Sequence, residues 1–327
     1  MPEVGEKTEL DRALALDIVR VTEATAVAAA QWLGRGDEVS ADEAAAAAMH
    51  REVARMPFEG VVVVGEGEEG DCPIFYMGER IGEGSPSGAT LDLAVDPIEG
   101  TTLCAKALPN AMSVLVVAER GSLLKVPPIY MEKIAIGPGL PAGLIDVGAT
   151  PSENLKALAE AKGVGVVDLT VCVLDRPRHG HLIEDIRSAG AALRLIGDGD
   201  IAGVIHVTDP VQTGIDMYLG IGGAAEGVLA AAALACLGGQ MEGRLMALNQ
   251  EHRFWAKLSG ITDLSKKYAL KEMVAGDLSF AATGITDGSM MAGVHYGPDS
   301  ITTESVIMRA STRTRRWIRT DPVSYTH

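Results

Sequence analysis

The stretch "VDPIEGTT" (95–102) gathers reactive groups at the end of an apolar run. Asp96 and Glu99 offer two carboxylates, Thr101 adds a hydroxyl, and the Ile98 carbonyl lies nearby. Pro97 fixes one backbone angle and Gly100 frees the turn, so both acids can face one side. Hard oxygen donors of this kind suit Mg2+ or Mn2+. The plainer alternative is an acidic turn with Asp96 capping a helix. Asp92, on the same face of a period-two strand, argues against a simple cap.

Other acids and a group of basic residues recur in similar settings. Glu66 follows four valines in "VVVVGEGEEGD", and the flanking Gly65 and Gly67 let its backbone approach another loop. Glu68 and Glu69 fit a solvated acidic hairpin better. Asp42, in "SADEAAAAAM", falls in a first helical turn, where an acid complements the dipole. Glu226 opens an apolar helix after "GIGG"; buried there, it needs a partner, and exposed, it serves the dipole. Those glycines loosely resemble a dinucleotide loop, but the spacing is not G-x-G-x-x-G. "LDRPRHG" puts Arg176, Arg178 and His179 after a strand, either as a phosphate clamp or as a basic loop opening a helix. "IGDGDIAG" puts Asp198 and Asp200 after the next strand, to bind sugar hydroxyls or with Asp200 as an N-cap. His179 and His181 lack zinc-ligand spacing. The arginine-rich "RASTRTRRWIRT" reads as a solvated strand or an intersubunit contact.

The elements that must hold these residues alternate. Helical spacing of Leu14, Ile18, Val21, Ala24 and Ala28 predicts a helix over 10–33. Ser40, with Glu43 three residues on, predicts the cap of a second helix. Apolar runs predict strands ending at Glu66 and at the 95–102 motif, and two more at "AMSVLVVAE" and "YMEKIAIGP". The glycine- and proline-rich "GPGLPAGLIDVGATPSEN" predicts a boundary between lobes 1–149 and 150–327, with the last strands as candidates to return to the first lobe. Strand and helix then alternate, which predicts an α/β chain with layered packing and a parallel or mixed sheet. The acids cluster past the carboxyl ends of strands, where α/β folds bind ligands.

Composition narrows the partners. Hydrophobic residues make up 47% of 327 and aromatics only 4%, so small aliphatic side chains fill the core. A net charge of −16 excludes duplex nucleic acid or an anionic membrane as main partner. An anionic small substrate needs bound divalent cations to reverse the local field. The four cysteines, Cys72, Cys104, Cys172 and Cys236, form no CxxC pair and read as reduced thiols. Cys104 lies near the motif, where thiol sensitivity is an open expectation. The N-terminal segment lacks the apolar core of a signal peptide, and no apolar run approaches a membrane span. A cytoplasmic location is expected.

The motif has the shape D-P-[IL]-[DE]-G-[ST] and resembles the signature of the lithium-sensitive, metal-dependent sugar and inositol phosphatases. "WLGRGD", "VVGEGE", "VDPIEGTT", "YMEKIAIGPG", "DRPRH", "GDGDIA", "GIGGAAEG" and "AATGIT" together resemble the class II (GlpX-type) fructose-1,6-bisphosphatases. The resemblance implies a sugar-phosphatase fold with alternating α-β-α-β-α layers in two lobes, metal-binding and sugar-phosphate-binding. It implies hydrolysis of the 1-phosphate of fructose 1,6-bisphosphate, and of sedoheptulose 1,7-bisphosphate in cyanobacterial relatives. It implies two or three Mg2+ or Mn2+ ions on Asp42, Glu66, Asp96, Glu99 and Glu226, and Thr101 orienting the attacking water. Tyr130, Arg176, Arg178, Asp198 and Asp200 match the family's sugar-bisphosphate contacts, and its members form homodimers or homotetramers. Two departures stand out: Glu38 where the family carries lysine, and Gly70 where it often carries aspartate. An inositol-phosphate phosphatase, a nucleotide-binding oxidoreductase and a non-enzymatic cation binder are the alternative readings.

Overall fold

The computed structural model describes residues 10, 14–67, 74–84 and 90–321. Glu68, Glu69, Gly70, Asp71 and Cys72 therefore lie outside the described residues. The chain divides into two compact units: Met1–Leu124 with Ala275–His327, and Lys125–Val274. This redraws the boundary expected at 149/150. The glycine- and proline-rich stretch is not a linker, because Ile145 and Val147 are buried with Leu155 and Leu158 in the second unit's core. Asn154 fixes its path, donating to the Asp146 carbonyl and accepting from the Asp146 N–H, both at 2.9 Å.

The first unit opens with α1 (Leu14–Ala30) and α2 (Glu38–Val53), which pack together. Leu14, Ile18, Val21 and Thr25 are buried on α1 at helical spacing. Helix α2 starts before Ser40. Its N-cap is Asp37, whose Oδ1 accepts from the Ser40 N–H at 3.0 Å. Glu38 is then an exposed first-turn acid and Asp42 sits in the second turn. There follow β1 (Glu59–Val64), β2 (Arg80–Ile81), β3 (Thr90–Glu99), α3 (Thr101–Ala105) and β4 (Met112–Glu119).

The second unit contains β5 (Tyr130–Ile136), α4 (Pro151–Lys162), β6 (Thr170–Leu174), α5 (Gly180–Ala189), β7 (Ala192–Ile196), α6 (Asp200–His206), α7 (Pro210–Thr213) and β8 (Met217–Gly223). It continues through α8 (Ala224–Leu237), β9 (Gln240–Met246), α9 (Gln250–Leu258), β10 (Lys267–Ala269) and α10 (Leu270–Met273). Its sheet runs β10-β9-β5-β8-β6-β7. Strands β8, β6 and β7 are parallel, and the other pairings are antiparallel. Helix α4 was unanticipated, although "TPSE" carries its signal. Thr150 and Glu153 form a capping box with Pro151 at the helix start.

The chain returns to the first sheet through β11 (Leu278–Gly284), β12 (His295–Tyr296), β13 (Ile301–Arg309) and β14 (Thr314–Thr320). The order is β12-β13-β11-β4-β3-β1-β2, with β14 on β13. Among the described strands there, only β1 and β3 pair in parallel, so both sheets are mixed and the fold class is α/β. The first unit's core joins Ile18, Val21, Met49, Phe58 and Val62 to Leu93, Leu115, Val117, Ala281 and Ile307. Strand β14 presents its arginines to solvent, as expected for a solvated strand. Among the described residues, no helix is long and apolar enough to cross a membrane.

Candidate active site

In the first unit the candidate acids lie where β1 and β3 end. These neighbours are parallel with Val64 beside Ala94, so Glu66 and Asp96 lie two residues past the same rung. On a regular strand Asp96 and Glu99 would face opposite sides. Pairing with β4 slips between them, from Asp96↔Val114 to Glu99↔Met112. That one-residue bulge puts both acids on one face. Both are buried, at 4% exposure each. The N-cap of α3 is Gly100 at φ +85°, so Asp96 is not a helix cap. Thr101 opens α3, and its Oγ donates to the Ile98 carbonyl at 3.2 Å. Asp92, on the approach, accepts from Arg120, the Gly121 N–H and the Leu123 N–H, so it holds a turn.

Two further residues fix the limbs around Glu66, which is itself exposed. Glu79 accepts from the Phe75 N–H with one oxygen and pairs with His50 Nε2 at 2.7 Å with the other. Gly65 leaves no room for a Cβ, which would overlap the Phe75 carbonyl. Sequence reasoning missed His50 and Glu79, since nothing in their spacing, 29 residues apart, marks them. Asp42 is half-buried on α2, which packs on β3 and α3. Burial raises its carboxyl above the usual range, and the neighbouring Glu43 adds to this.

In the second unit β6, β7 and β8 end at one edge, and β5 starts there, with Tyr130 opposite Gly223. Residues from four segments meet at this edge. Arg176 pairs with Asp198 at 3.3 Å. The Arg178 guanidinium stacks 5.1 Å over the Tyr130 ring and donates Nε and Nη2 to the Ile221 carbonyl. His179 is buried between strands, with Nδ1 donating to the Leu174 carbonyl and Nε2 accepting from the Ile221 N–H. Burial lowers its pKa, so it is a neutral strut.

Beneath the edge lies a buried ionic cluster. Lys133, fully buried on β5, donates to Asp200 Oδ2 and to the Gly223 carbonyl at 2.9 Å. Tyr218 donates to Asp200 Oδ1. Asp200 is thus the first residue of α6 but not its cap, which is Gly199. A Cβ on Gly222 would overlap the Asp200 carboxylate, and one on Gly223 would overlap that of Glu226. The "GIGG" glycines therefore lie in a strand, and the last two make room for acids, which removes the basis for the dinucleotide reading. Burial raises the Glu226 carboxyl, Lys133 pulls it back, and Asp200 adds to the rise. Lys133 is a third residue that sequence reasoning passed over, although a lysine leading straight into the apolar "IAI" is a signal.

The donor chemistry fits divalent cations. Every candidate ligand offers oxygen and none a thiol or imidazole. Asp96 and Glu99 are buried acids and Glu226 is half-buried and desolvated, and taking a carboxylate out of water is costly unless positive charge meets it. Among the described residues, no three His, Cys, Asp or Glu side chains are gathered as one metal would hold them. Residues 68–73, next to Glu66, lie outside that description.

Comparison with known proteins adds the family. A profile described as bacterial fructose-1,6-bisphosphatase, glpX-encoded, matches residues 12–322. A Synechococcus sp. (strain JA-2-3B'a(2-13)) protein named D-fructose 1,6-bisphosphatase class 2/sedoheptulose 1,7-bisphosphatase is 40% identical over 334 residues, covering 95% of this chain and 96% of its own. A Prochlorococcus marinus (strain NATL1A) protein of the same name is 39% identical over 326 residues, with the same coverage. Among solved structures, extragenic suppressor protein suhB from Bartonella henselae is similar at 13% identity and a TM-score of 0.34, over 59% of this chain and 73% of that one. The match along nearly the whole chain shows that it belongs to the glpX-encoded bacterial fructose-1,6-bisphosphatase family.

Proposed function

We propose that this chain hydrolyses the 1-phosphate of fructose 1,6-bisphosphate to fructose 6-phosphate and phosphate, and acts also on sedoheptulose 1,7-bisphosphate. The names its relatives carry support both substrates. The observation that carries the reading is the bulged end of β3, which delivers two buried carboxylates and the Thr101 hydroxyl together. In this proposal Asp42, Glu66, Asp96, Glu99 and Glu226 hold two or three Mg2+ or Mn2+ ions. Bound divalent cations lower the pKa of a water and offset charge on the phosphoryl group.

The chain's own groups do the rest. Thr101 Oγ donates its hydrogen bond to the Ile98 carbonyl, so its lone pairs are left to accept from the attacking water and set its direction. Arg176, Arg178 and Tyr130 anchor the far phosphate, with Arg178 pre-aligned by its two bonds to Ile221. Asp198 accepts from sugar hydroxyls, whereas Asp200, expected from the sequence to do the same, is buried with its two oxygens held by Lys133 and Tyr218 and supports that edge from beneath. The acidic net charge attracts the cations first. A homodimer or homotetramer in the cytoplasm completes the proposal. The test is phosphate release from fructose 1,6-bisphosphate, sedoheptulose 1,7-bisphosphate and inositol 1-phosphate, each with Mn2+, with Mg2+ and with chelator. Metal-dependent release from the bisphosphates supports the reading. Release from inositol phosphate alone, or unaffected by chelator, rejects it.

A further inference from the structure

Lys133 lies at the centre of the second unit's acids, yet its side chain is fully buried and has no exposed surface to offer a ligand. It projects from β5 opposite Gly220 of β8 and reaches along that strand to the Gly223 carbonyl at 2.9 Å. Gly223 is the N-cap of α8, and Glu226 is the third residue of that helix. The same ammonium binds Asp200 at the start of α6. Lys133 thus ties three segments together: the end of β8, the start of α8 and the start of α6. The surroundings are shaped to admit it. Gly227 leaves room beside the Lys133 stem, and Gly203 lets α6 lie against the Tyr218 ring.

We propose that Lys133 is a positioning residue that fixes the Gly223 carbonyl and Asp200 and thereby sets where Glu226 presents its carboxylate. The proposal rests on the reading of Glu226 as a ligand for a divalent cation. A charge needed only to neutralise Asp200 would make Lys133 dispensable once Asp200 is neutral. A clamp on Gly223 would not be dispensable, because a backbone carbonyl cannot be mutated away.

That difference gives the experiment. Asp200→Asn is compared with Lys133→Met/Asp200→Asn and Lys133→Gln/Asp200→Asn in the full chain. Readouts are thermal stability, the Mn2+ concentration giving half the maximal thermal shift, and kcat and KM for fructose 1,6-bisphosphate. We expect both double variants to melt near Asp200→Asn. The Met variant should need at least 5-fold more Mn2+ and lose at least 10-fold in kcat with KM little changed. The Gln variant, whose amide can donate to Gly223, should regain part of both. Equal Mn2+ requirement and kcat in Asp200→Asn and the Met variant would overturn the proposal, as would a Gln variant no better than Met. Loss of the fold in both double variants, with Asp200→Asn folded, would also overturn it and assign Lys133 to the core. Absence of bisphosphatase activity in the wild type would instead reject the proposed function, and the Mn2+ shifts would still decide the role of Lys133.

Discussion

Thr101 is held by one hydrogen bond, from its own hydroxyl to Ile98 two residues after the bulge begins. Removing that hydroxyl costs little stability, about 1 kcal/mol for one part-buried bond. Thr101→Ala should therefore melt close to wild type while kcat falls by about two orders of magnitude, the scale of losing a water-orienting group. Wild-type turnover in that variant would remove Thr101 from the scheme. Gly222 is a second single-residue test. A methyl group there would displace the Asp200 carboxylate from Lys133 and Tyr218. Gly222→Ala should lower both stability and kcat, whereas Ala at Gly139, whose Cβ meets open space, should spare kcat.

Elements decide which residues can meet. The bulge in β3 converts an odd spacing of acids into a shared face, and the parallel pairing of β1 with β3 brings Glu66 level with Asp96. In the second unit the parallel ends of β6, β7 and β8 deliver Arg176, Asp198 and the Gly222–Gly223 strand end to one edge. Helix α4 rests on its capping box, with the Thr150 N–H donating to Glu153 at 2.8 Å. Thr150→Ala should cost about 1 kcal/mol, seen as a melting temperature lower by about 2–4 °C. Little change in phosphate release is expected, since α4 carries none of the proposed ligands.

At the scale of the molecule, acid and thiol chemistry report on packing. Asp277 is buried where β11 begins. Burial alone would raise its carboxyl, but hydrogen bonds from Arg309 and the Ser311 N–H bring it below 3.8. A depressed folded pKa stabilises the fold above pH 3.8 and loses that contribution as pH falls through the lower folded value. Melting followed from pH 5 to pH 2.5 should thus fall less steeply in Asp277→Asn than in wild type. Cys104 and Cys172 are pushed up to about 11 and about 12, chiefly by burial, so both stay protonated and unreactive at neutral pH. Burial thus works against the thiol sensitivity expected at Cys104. A Cys72→Ser variant should show no thiol titratable by an aromatic disulfide reagent while folded. Its three remaining cysteines should all react in denaturant.

Periodicity and turn chemistry made α1, β3, β4, β5, α5 and α8 legible from sequence, because short-range sterics and burial patterns are written in neighbouring residues. The eight ordered motifs, from "WLGRGD" to "AATGIT", made the family legible, since side-chain identity travels with sequence. The α2 start was misplaced because Ser40 and Asp37 compete for one cap, and the carboxylate won. The unit boundary was misplaced because Ile145 and Val147 bury themselves only against residues further along the chain. The clamp of Lys133 on Asp200, 67 residues away, and of His50 on Glu79 depends on which strands and helices become neighbours. Chain composition carries the acids that a cation needs. Only the pairing of distant segments decides which of them share a face and which are held by a lysine.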